Sequence, residues 1–226
     1  GKGLGNQFLD DLRQADAFIQ IVDASGTTDA EGKQTEGYNP CKDIEFLEDE
    51  LNKWYFGILI KAWKGFARKV EIEHGNFAES VAKQFSGLKV DEYDIKEILL
   101  KNNFEGNPSK WTNEQLMEFA SVLRKKTKPT IIAANKCDHP NAKENIKKMQ
   151  IAFPDELIFP CSADSELALR EASKAGLIDY IPGEADFKIK PGVQLNAKQK
   201  QALDTIKKNV LQEYNGTGVQ EILNLA

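Results

Sequence analysis

Three short apolar runs constrain the fold of this chain more tightly than any other feature. Phe18-Ile19-Gln20-Ile21-Val22, the stretch from Pro129 to Ala134, and Leu157-Ile158-Phe159 within Glu156 to Pro160 are mostly β-branched or aromatic and end in turn-forming sequence. Runs of this length and composition read as strands. Near-continuous apolar strands separated by helical segments are the pattern of a parallel sheet covered on both faces. The fold class read from the sequence is α/β.

The crossover between parallel strands needs only a dozen or so residues, yet about 105 separate the first run from the second. An insertion accounts for the difference. Ile44, Leu47, Leu51, Trp54, Ile58, Ala62, Phe66 and Val70 recur at steps of three and four, which predicts one amphipathic helix from about Asp43 to Glu73. Phe77, Val81 and Phe85 continue the period after Gly75-Asn76 as a returning partner would, giving an antiparallel helical hairpin. Two further helices follow. One lies around Ile95, Ile98 and Leu99; the other is opened by the capping box Thr112-Asn113-Glu114-Gln115, with Leu116, Phe119, Ala120 and Leu123 on its inner face. The insertion is expected to be all-helical.

Beyond the third strand, Ser165 to Lys174 reads as a helix stopped by Gly176, and Asn196 caps another running through Leu203, Ile206 and Val210. Between them Tyr180 to Gln194, with Pro182, Gly183, Pro191 and Gly192, is the expected linker. Thr217-Gly218-Val219-Gln220 has capping-box spacing ahead of Ile222, Leu223 and Leu225, close to the last residue, Ala226. With no Met at the start and a helix begun so near the end, the sequence reads as the middle of a longer protein, or its ordered part, with parts of any active site expected outside it.

The 226 residues carry 30 basic against 35 acidic side chains, a formal charge of -5, and are 41% hydrophobic and 29% charged. Such a composition excludes collagenous, low-complexity and wholly disordered classes. It offers nucleic acid no global attraction and leaves only a local basic face. No apolar run approaches the ~18 residues of a membrane span, so no membrane partner is expected. Cys41, Cys137 and Cys161 are odd in number and form no C-x-x-C pair. Neither a disulfide framework nor a zinc site is implied, and a reducing, cytoplasmic compartment is expected.

Ligands in open α/β sheets bind outside the carboxyl ends of the strands, and the two most suggestive motifs fall there. After the second strand comes Asn135-Lys136-Cys137-Asp138. A carboxylate at Asp138 can accept from the N1–H and exocyclic amine of guanine, a donor pair that adenine lacks on that edge. Lys136 can lay its aliphatic stem against base or ribose, and Asn135 would tie the loop to its neighbours. After the third strand comes Ser162-Ala163, whose small side chains let backbone N–H groups approach guanine O6. Either motif alone recurs in ordinary polar loops; the pair, in order and each at a strand end, points to guanine binding.

Other features carry less. Gly26 to Gly32 followed by Lys33-Gln34 imitates a phosphate loop, but the glycines are spaced one residue too far apart and Gln34 lacks the Mg²⁺-binding hydroxyl. Gly1-Lys2-Gly3 lacks both the preceding strand and the hydroxyl. Asp23 is open to two readings, a carboxylate holding Mg²⁺ or a turn residue, and no metal ligand or catalytic residue is assigned. His74 and His139 sit in no recognisable acid–base arrangement and receive no role. Trp54, Tyr55, Trp63 and Phe66 read as core, although with Lys61, Lys64, Arg68 and Lys69 they leave open a docking face for RNA or protein.

Longer stretches carry a more specific resemblance. Gly3-Leu4-Gly5-Asn6-Gln7-Phe8-Leu9-Asp10-Asp11-Leu12-Arg13, Val22-Asp23-Ala24-Ser25-Gly26, Ala134-Asn135-Lys136-Cys137-Asp138 and Gly216-Thr217-Gly218-Val219-Gln220-Glu221 resemble the YchF branch of the Obg-related GTPases, archaeal members above all. That family combines a P-loop G domain, a helical hairpin inserted in it, and a carboxy-terminal TGS domain. The resemblance implies that residues 1–40 are the first part of a P-loop NTPase (G) domain, with the tail of switch II and one strand. Residues 41–126 would be the inserted helical, coiled-coil domain, and 127–226 the second G-domain part with the guanine-recognition loops.

The same resemblance places the phosphate loop, most Mg²⁺ ligands and the TGS domain outside this chain. It makes Gly1, Gly3 and Gly5 switch residues that respond to the γ-phosphate. Asn135, Lys136, Asp138, Ser162 and Ala163 match the family's base-binding motifs residue by residue. The implied function is slow GTP hydrolysis with Mg²⁺ bridging the phosphates, coupled to a conformational switch and linked to ribosomes and translation. The helical insertion would face a ribosomal or RNA partner. Some members of the branch depart from the aspartate and resemble ATP-preferring proteins, whereas Asp138 favours GTP. Two alternatives stand beside this reading: an ATP-preferring member of the same family, and a non-catalytic interaction module displaying the helical hairpin.

Overall fold

The computed structural model describes residues 12–102, 104 and 106–226. The chain divides into two compact units. One contains residues 12–18 and 45–129, the other Ile19–Ile44 and Thr130–Ala226.

The second unit is built on a three-stranded sheet in the order β1 (Phe18–Asp23), β2 (Thr130–Asn135), β3 (Leu157–Pro160). β2 and β3 are parallel, in a register that runs from Ile131 opposite Leu157 to Ala134 opposite Pro160. All three strands fall where the apolar runs put them, and the class is α/β. β2 is central and buries four successive residues, Ile131 to Ala134. The helix Ala142–Ala152, α5 in chain order, packs Ala142, Ile146 and Met149 with Val22, Ala24, Ile132 and Ala134. Opposite it, Val219 and Ile222 of α8 (Val219–Leu225) cluster with Ile131, Ala133 and Phe159.

β1 departs from the expectation of two covered faces. Val22 is buried, but Ile19 and Ile21 are exposed, Ile21 at 72%. Among the described residues the apolar cluster that α8 forms draws on β2, β3 and Cys161, so the alternation of β1 is that of a strand with one face in the core.

Helix α6 (Ala163–Lys174) ends before Gly176, whose φ of +74° suits a left-handed stop. Asn196 caps α7 (Ala197–Ile206) in a capping box with Gln199. The helix continues through a π-helical turn, Lys207–Leu211, and a last turn, Gln212–Tyr214. There the adjacent Val210 and Leu211 are buried in different clusters, one against the sheet and one against α6 and its neighbours.

Tyr180 to Gln194 is not a linker. An antiparallel pair, β4 (Ile178–Asp179) with β5 (Lys188–Ile189), frames it, and Tyr180 and Phe187 are buried with Leu169, Leu203 and Leu211. Strands of two residues are too short to show any period, while Pro182 and Pro191 lie just outside the pairing.

The first unit is all-helical. It takes most of α1 (Cys41–Ile72), then α2 (Phe77–Gln84), α3 (Glu92–Lys101) and α4 (Asn113–Thr127), the last opened by the expected Thr112–Gln115 capping box. The return along α1 is shared rather than made by one limb. The helix holding Phe77 and Val81 has only eight residues, and Phe85 is its C-cap. The antiparallel run is completed by α4 and the 3₁₀ turn before it, Pro108–Lys110: Glu71 Oε2 accepts from Ser109 Oγ at 2.6 Å and Trp63 Nε1 donates to Pro108 O at 3.1 Å, while from α4 Thr127 Oγ1 meets Tyr55 OH at 3.0 Å and Arg124 Nε donates to Asn52 Oδ1 at 2.7 Å.

Trp63 is the centre of the helical core. Its ring lies 5.4–6.3 Å from those of Phe66, Phe77, Phe85, Trp111 and Phe119. Lys128 is buried in the same unit, where its ammonium donates to the carbonyls of Arg13 and Ala15; burial lowers its pKa. Among the described residues no helix is long and apolar enough to cross a membrane. Trp63→Ala removes a large buried ring from five neighbours and is expected to cost the helical unit about 3–5 kcal/mol. Denaturant titration followed by near-UV circular dichroism checks this, and a cost below about 1 kcal/mol would contradict it.

Candidate functional site

Parallel strands deliver their carboxyl ends to the same edge, and here the backbone ladder continues past both strand ends. Cys161 N donates to Ala134 O at 2.9 Å, and Cys137 N donates to Cys161 O at 3.0 Å. The loop after β2 is thereby stitched to the loop after β3. Lys136 turns the first loop in the left-handed region, with φ 61°. Asn135 accepts twice: its Oδ1 takes Ala163 N–H at 3.0 Å, and its backbone oxygen takes Ala24 N–H at 2.9 Å. Ser162 Oγ donates to Asp138 Oδ1 at 2.8 Å and pairs with Ser165 Oγ at 2.7 Å. Asn135, Lys136, Asp138, Ser162 and Ala163 therefore form one cluster, in which Asp138 and Ala163 are exposed. Gly1, Gly3 and Gly5 lie outside the described residues.

A residue left open by sequence, Asp23, completes the first loop. Lys136 Nζ lies 2.7 Å from Asp23 Oδ2 and 3.5 Å from Thr27 Oγ1. The same carboxylate accepts from Ser25 N and Ser25 Oγ at 2.9 and 2.5 Å and from Thr28 Oγ1 at 2.6 Å. Burial raises its pKa, but the donors from Lys136, Ser25 and Thr28 outweigh burial and hold it at about 2. This is the turn-residue reading. A carboxylate already filled by an ammonium and by donors from Ser25, Thr27 and Thr28 does not fit a Mg²⁺ ligand. Gly26, at φ +67°, packs so closely that a Cβ would lie 2.5 Å from Tyr38 O; the imitation phosphate loop after it closes on itself through a Thr28–Gln34 bridge.

The second loop is backed by residues the sequence did not single out. Glu166, 4% exposed in the first turns of α6, accepts from Tyr180 OH at 2.7 Å, Thr217 Oγ1 at 2.6 Å and Arg170 Nε at 2.5 Å. Burial pushes its carboxyl up; Thr217, Arg170 and Tyr180 together bring it below the usual value, while burial and Glu166 push Tyr180 up to about 12. Thr217 O in turn accepts Ser162 N–H at 2.9 Å. Thr217 is thus no helix cap. Gly218, at φ 76°, occupies that position without a side-chain hydrogen bond. Tyr214 OH donates to Cys137 O at 3.2 Å, supporting the first loop from α7's last turn.

Two buried thiols, neither in a disulfide, belong to the two loops. Burial pushes Cys137 up to about 12 and Cys161 up to about 11, so both are protonated at neutral pH.

The fold defined by this sheet and its helical insertion is that of a P-loop NTPase domain. Residues 133–226 match a family described as Obg-like GTPase YGR210-like, G4 motif-containing domain. A GTP-binding protein of Methanocaldococcus jannaschii is 48% identical over 100% of this chain, and one of Schizosaccharomyces pombe 34% identical over 99%. The crystal structure of a GTP-binding protein from Pyrococcus horikoshii OT3 superposes with a TM-score of 0.77 at 41% identity, covering 96% of this chain and 58% of that one. The chain belongs to the YchF/Obg-related family. It spans 56% of the length of each of the two curated relatives.

Two outcomes follow from the titrations. Because Asp23 has a folded-state pKa below the ordinary carboxylate value, its contribution is complete above about pH 4 and is lost as pH falls through 2; at neutral pH it amounts to about 2 kcal/mol. Asp23→Asn should remove that increment and flatten the stability profile between those limits, whereas a pH-independent loss would contradict the assignment. Cys137 and Cys161 should resist alkylation at pH 8 in the native protein and react on unfolding, as mass spectrometry after iodoacetamide would report; native-state labelling would contradict their burial.

Proposed function

We propose that this chain supplies the base-recognition loops and the helical insertion of a GTP-binding switch protein that hydrolyses GTP slowly as a whole protein. The observation that supports this most directly is the joining of Asn135-Lys136-Cys137-Asp138 to Ser162-Ala163 in one hydrogen-bonded cluster. In this reading Asp138, steadied by Ser162, accepts the N1–H and exocyclic amine of guanine. Lys136, its ammonium anchored on Asp23, offers its stem to the base. Ala163 N–H, now bonded to Asn135 Oδ1, is the donor for O6, taken over or shared when a nucleotide enters. The M. jannaschii and S. pombe relatives, both described as GTP-binding proteins, support the ligand class.

Phosphate-binding groups come, in this proposal, from outside the chain, as do the Mg²⁺ ligands of the complete protein. The division into 1–40, 41–126 and 127–226, the switch role of Gly1, Gly3 and Gly5, and a cytoplasmic setting belong to the same reading. The helical insertion is the surface for a ribosomal or RNA partner, with Lys61, Lys64, Arg68 and Lys69 exposed along α1. An ATP-preferring member would leave Asp138 without its donor pair.

Titration calorimetry of the full-length protein with GTP and with ATP tests base choice. GTP is expected to bind more tightly, and Asp138→Asn to weaken it about 100-fold while improving xanthosine triphosphate. Tighter ATP binding, or base preference unchanged in Asp138→Asn, would overturn the guanine assignment; no binding of either nucleotide would favour the interaction module.

A further inference from the structure

The guanine reading leaves a buried titratable group without a task. Glu166 sits behind the Ser162-Ala163 loop, and its carboxylate accepts from three other side chains of this unit: Thr217, Tyr180 and Arg170. An ionised carboxylate at 4% exposure is stable only when its oxygens are filled, so these donors are under strong constraint to stay in place.

Thr217 connects that constraint to the loop. Its hydroxyl donates to Glu166 Oε2, and its carbonyl accepts the amide of Ser162. One residue later the chain runs against the end of β3. A Cβ on Gly218 would lie 2.0 Å from Pro160 O, and its φ of 76° is in the left-handed region, so this close approach requires glycine. The Ser162 amide is committed backward to Thr217, which leaves Ala163 N–H as the donor of this loop on the exposed side. Its position depends on where Thr217 holds Ser162.

We infer that Thr217, fixed by Glu166 and Tyr180, is a positioning residue that sets how well the Ser162-Ala163 loop reads the O6 side of a purine. The inference rests on the guanine reading and deepens it. Asp138 is less dependent on this brace, because its loop is also held by Cys137 N to Cys161 O, by His139 N to Lys136 O and by Tyr214. Disturbing Thr217 should therefore affect recognition of O6 more than recognition of the exocyclic amine.

The test uses the full-length protein and three nucleotides: GTP; 6-thio-GTP, which keeps the donors read by Asp138 but has a poorer acceptor at position 6; and inosine triphosphate, which keeps O6 and lacks the amine. Wild type is expected to favour GTP over 6-thio-GTP about 10-fold, the worth of one hydrogen bond. Thr217→Val should bring that ratio close to one and change the GTP-to-inosine ratio by a smaller factor, while Thr217→Ser, which restores the hydroxyl, keeps both. Tyr180→Phe, which keeps the buried ring, should shift the first ratio in the same direction if Thr217→Val fails to fold. Equal weakening of all three nucleotides would reduce Thr217 to a structural residue and overturn the inference, as would ratios identical to wild type in the variants. A wild type that binds GTP and 6-thio-GTP alike would overturn the O6 reading itself, and this inference with it.

Discussion

Two backbone hydrogen bonds, from Cys161 N to Ala134 O and from Cys137 N to Cys161 O, hold the geometry on which the rest of the site depends. They extend the parallel ladder beyond its last paired residues, Ala134 and Pro160, so that the two loops are registered to each other before any side chain contributes. The side chains at these joints are small and apolar, and they bury on opposite sides. Cys137 belongs to the cluster with Val22 and Ile132, Cys161 to the one with Ile131, Ala133 and Ile222. Their elevated pKa values result from that packing, and their place in separate clusters makes them spacers in the core rather than a redox pair.

On this backbone frame each loop is backed by a carboxylate, and in both cases the same competition is decided the same way. Burial disfavours the charge on Asp23 and on Glu166, yet each titrates below its ordinary value because the donors facing it outweigh the lost water. Satisfying a buried charge fully is what converts a polar interior from a liability into a fixed framework. Around Asp23 the donors are local, drawn from Ser25, Thr27 and Thr28 together with Lys136 from the loop after β2. Around Glu166 they come from α6, from the start of the β4–β5 hairpin and from the turn before α8.

That difference explains how much of the molecule was legible in the sequence. The three strands, the long α1 and the capped helices α4 and α7 are written locally, in apolar period and capping residues. The meeting of Asn135, Lys136 and Asp138 with Ser162 and Ala163 follows from a general rule about strand ends, so it too was readable. What failed was pattern without its partner. Thr217-Gly218-Val219-Gln220 has capping-box spacing, but the hydroxyl is drawn away by a carboxylate 51 positions earlier, and Gly218 in a left-handed conformation takes the cap position. Phe85 continues the period of Phe77 and Val81 although the helix has ended, since the aromatic core about Trp63 accepts a side chain from a helix cap as readily as from a helix. The period of β1 reported an apolar strand correctly and said nothing of how far a covering helix reaches.

The two backings also differ in stiffness. The Lys136–Asp23 pair keeps contact with solvent: its side chains are 41% and 12% exposed, so the lysine stem can move while its ammonium keeps its partner. Glu166 has no such latitude. Moving the Ser162-Ala163 loop outward would draw on Thr217, and drawing on Thr217 would strip a donor from a buried carboxylate, a change costing more than one surface hydrogen bond returns. The arrangement is therefore an adaptable wall beside a rigid one. If the Ser162-Ala163 loop reads a purine as proposed, rigidity lies where a small error in the height of a backbone N–H would be felt, and its cost is met in folding rather than at the moment of binding.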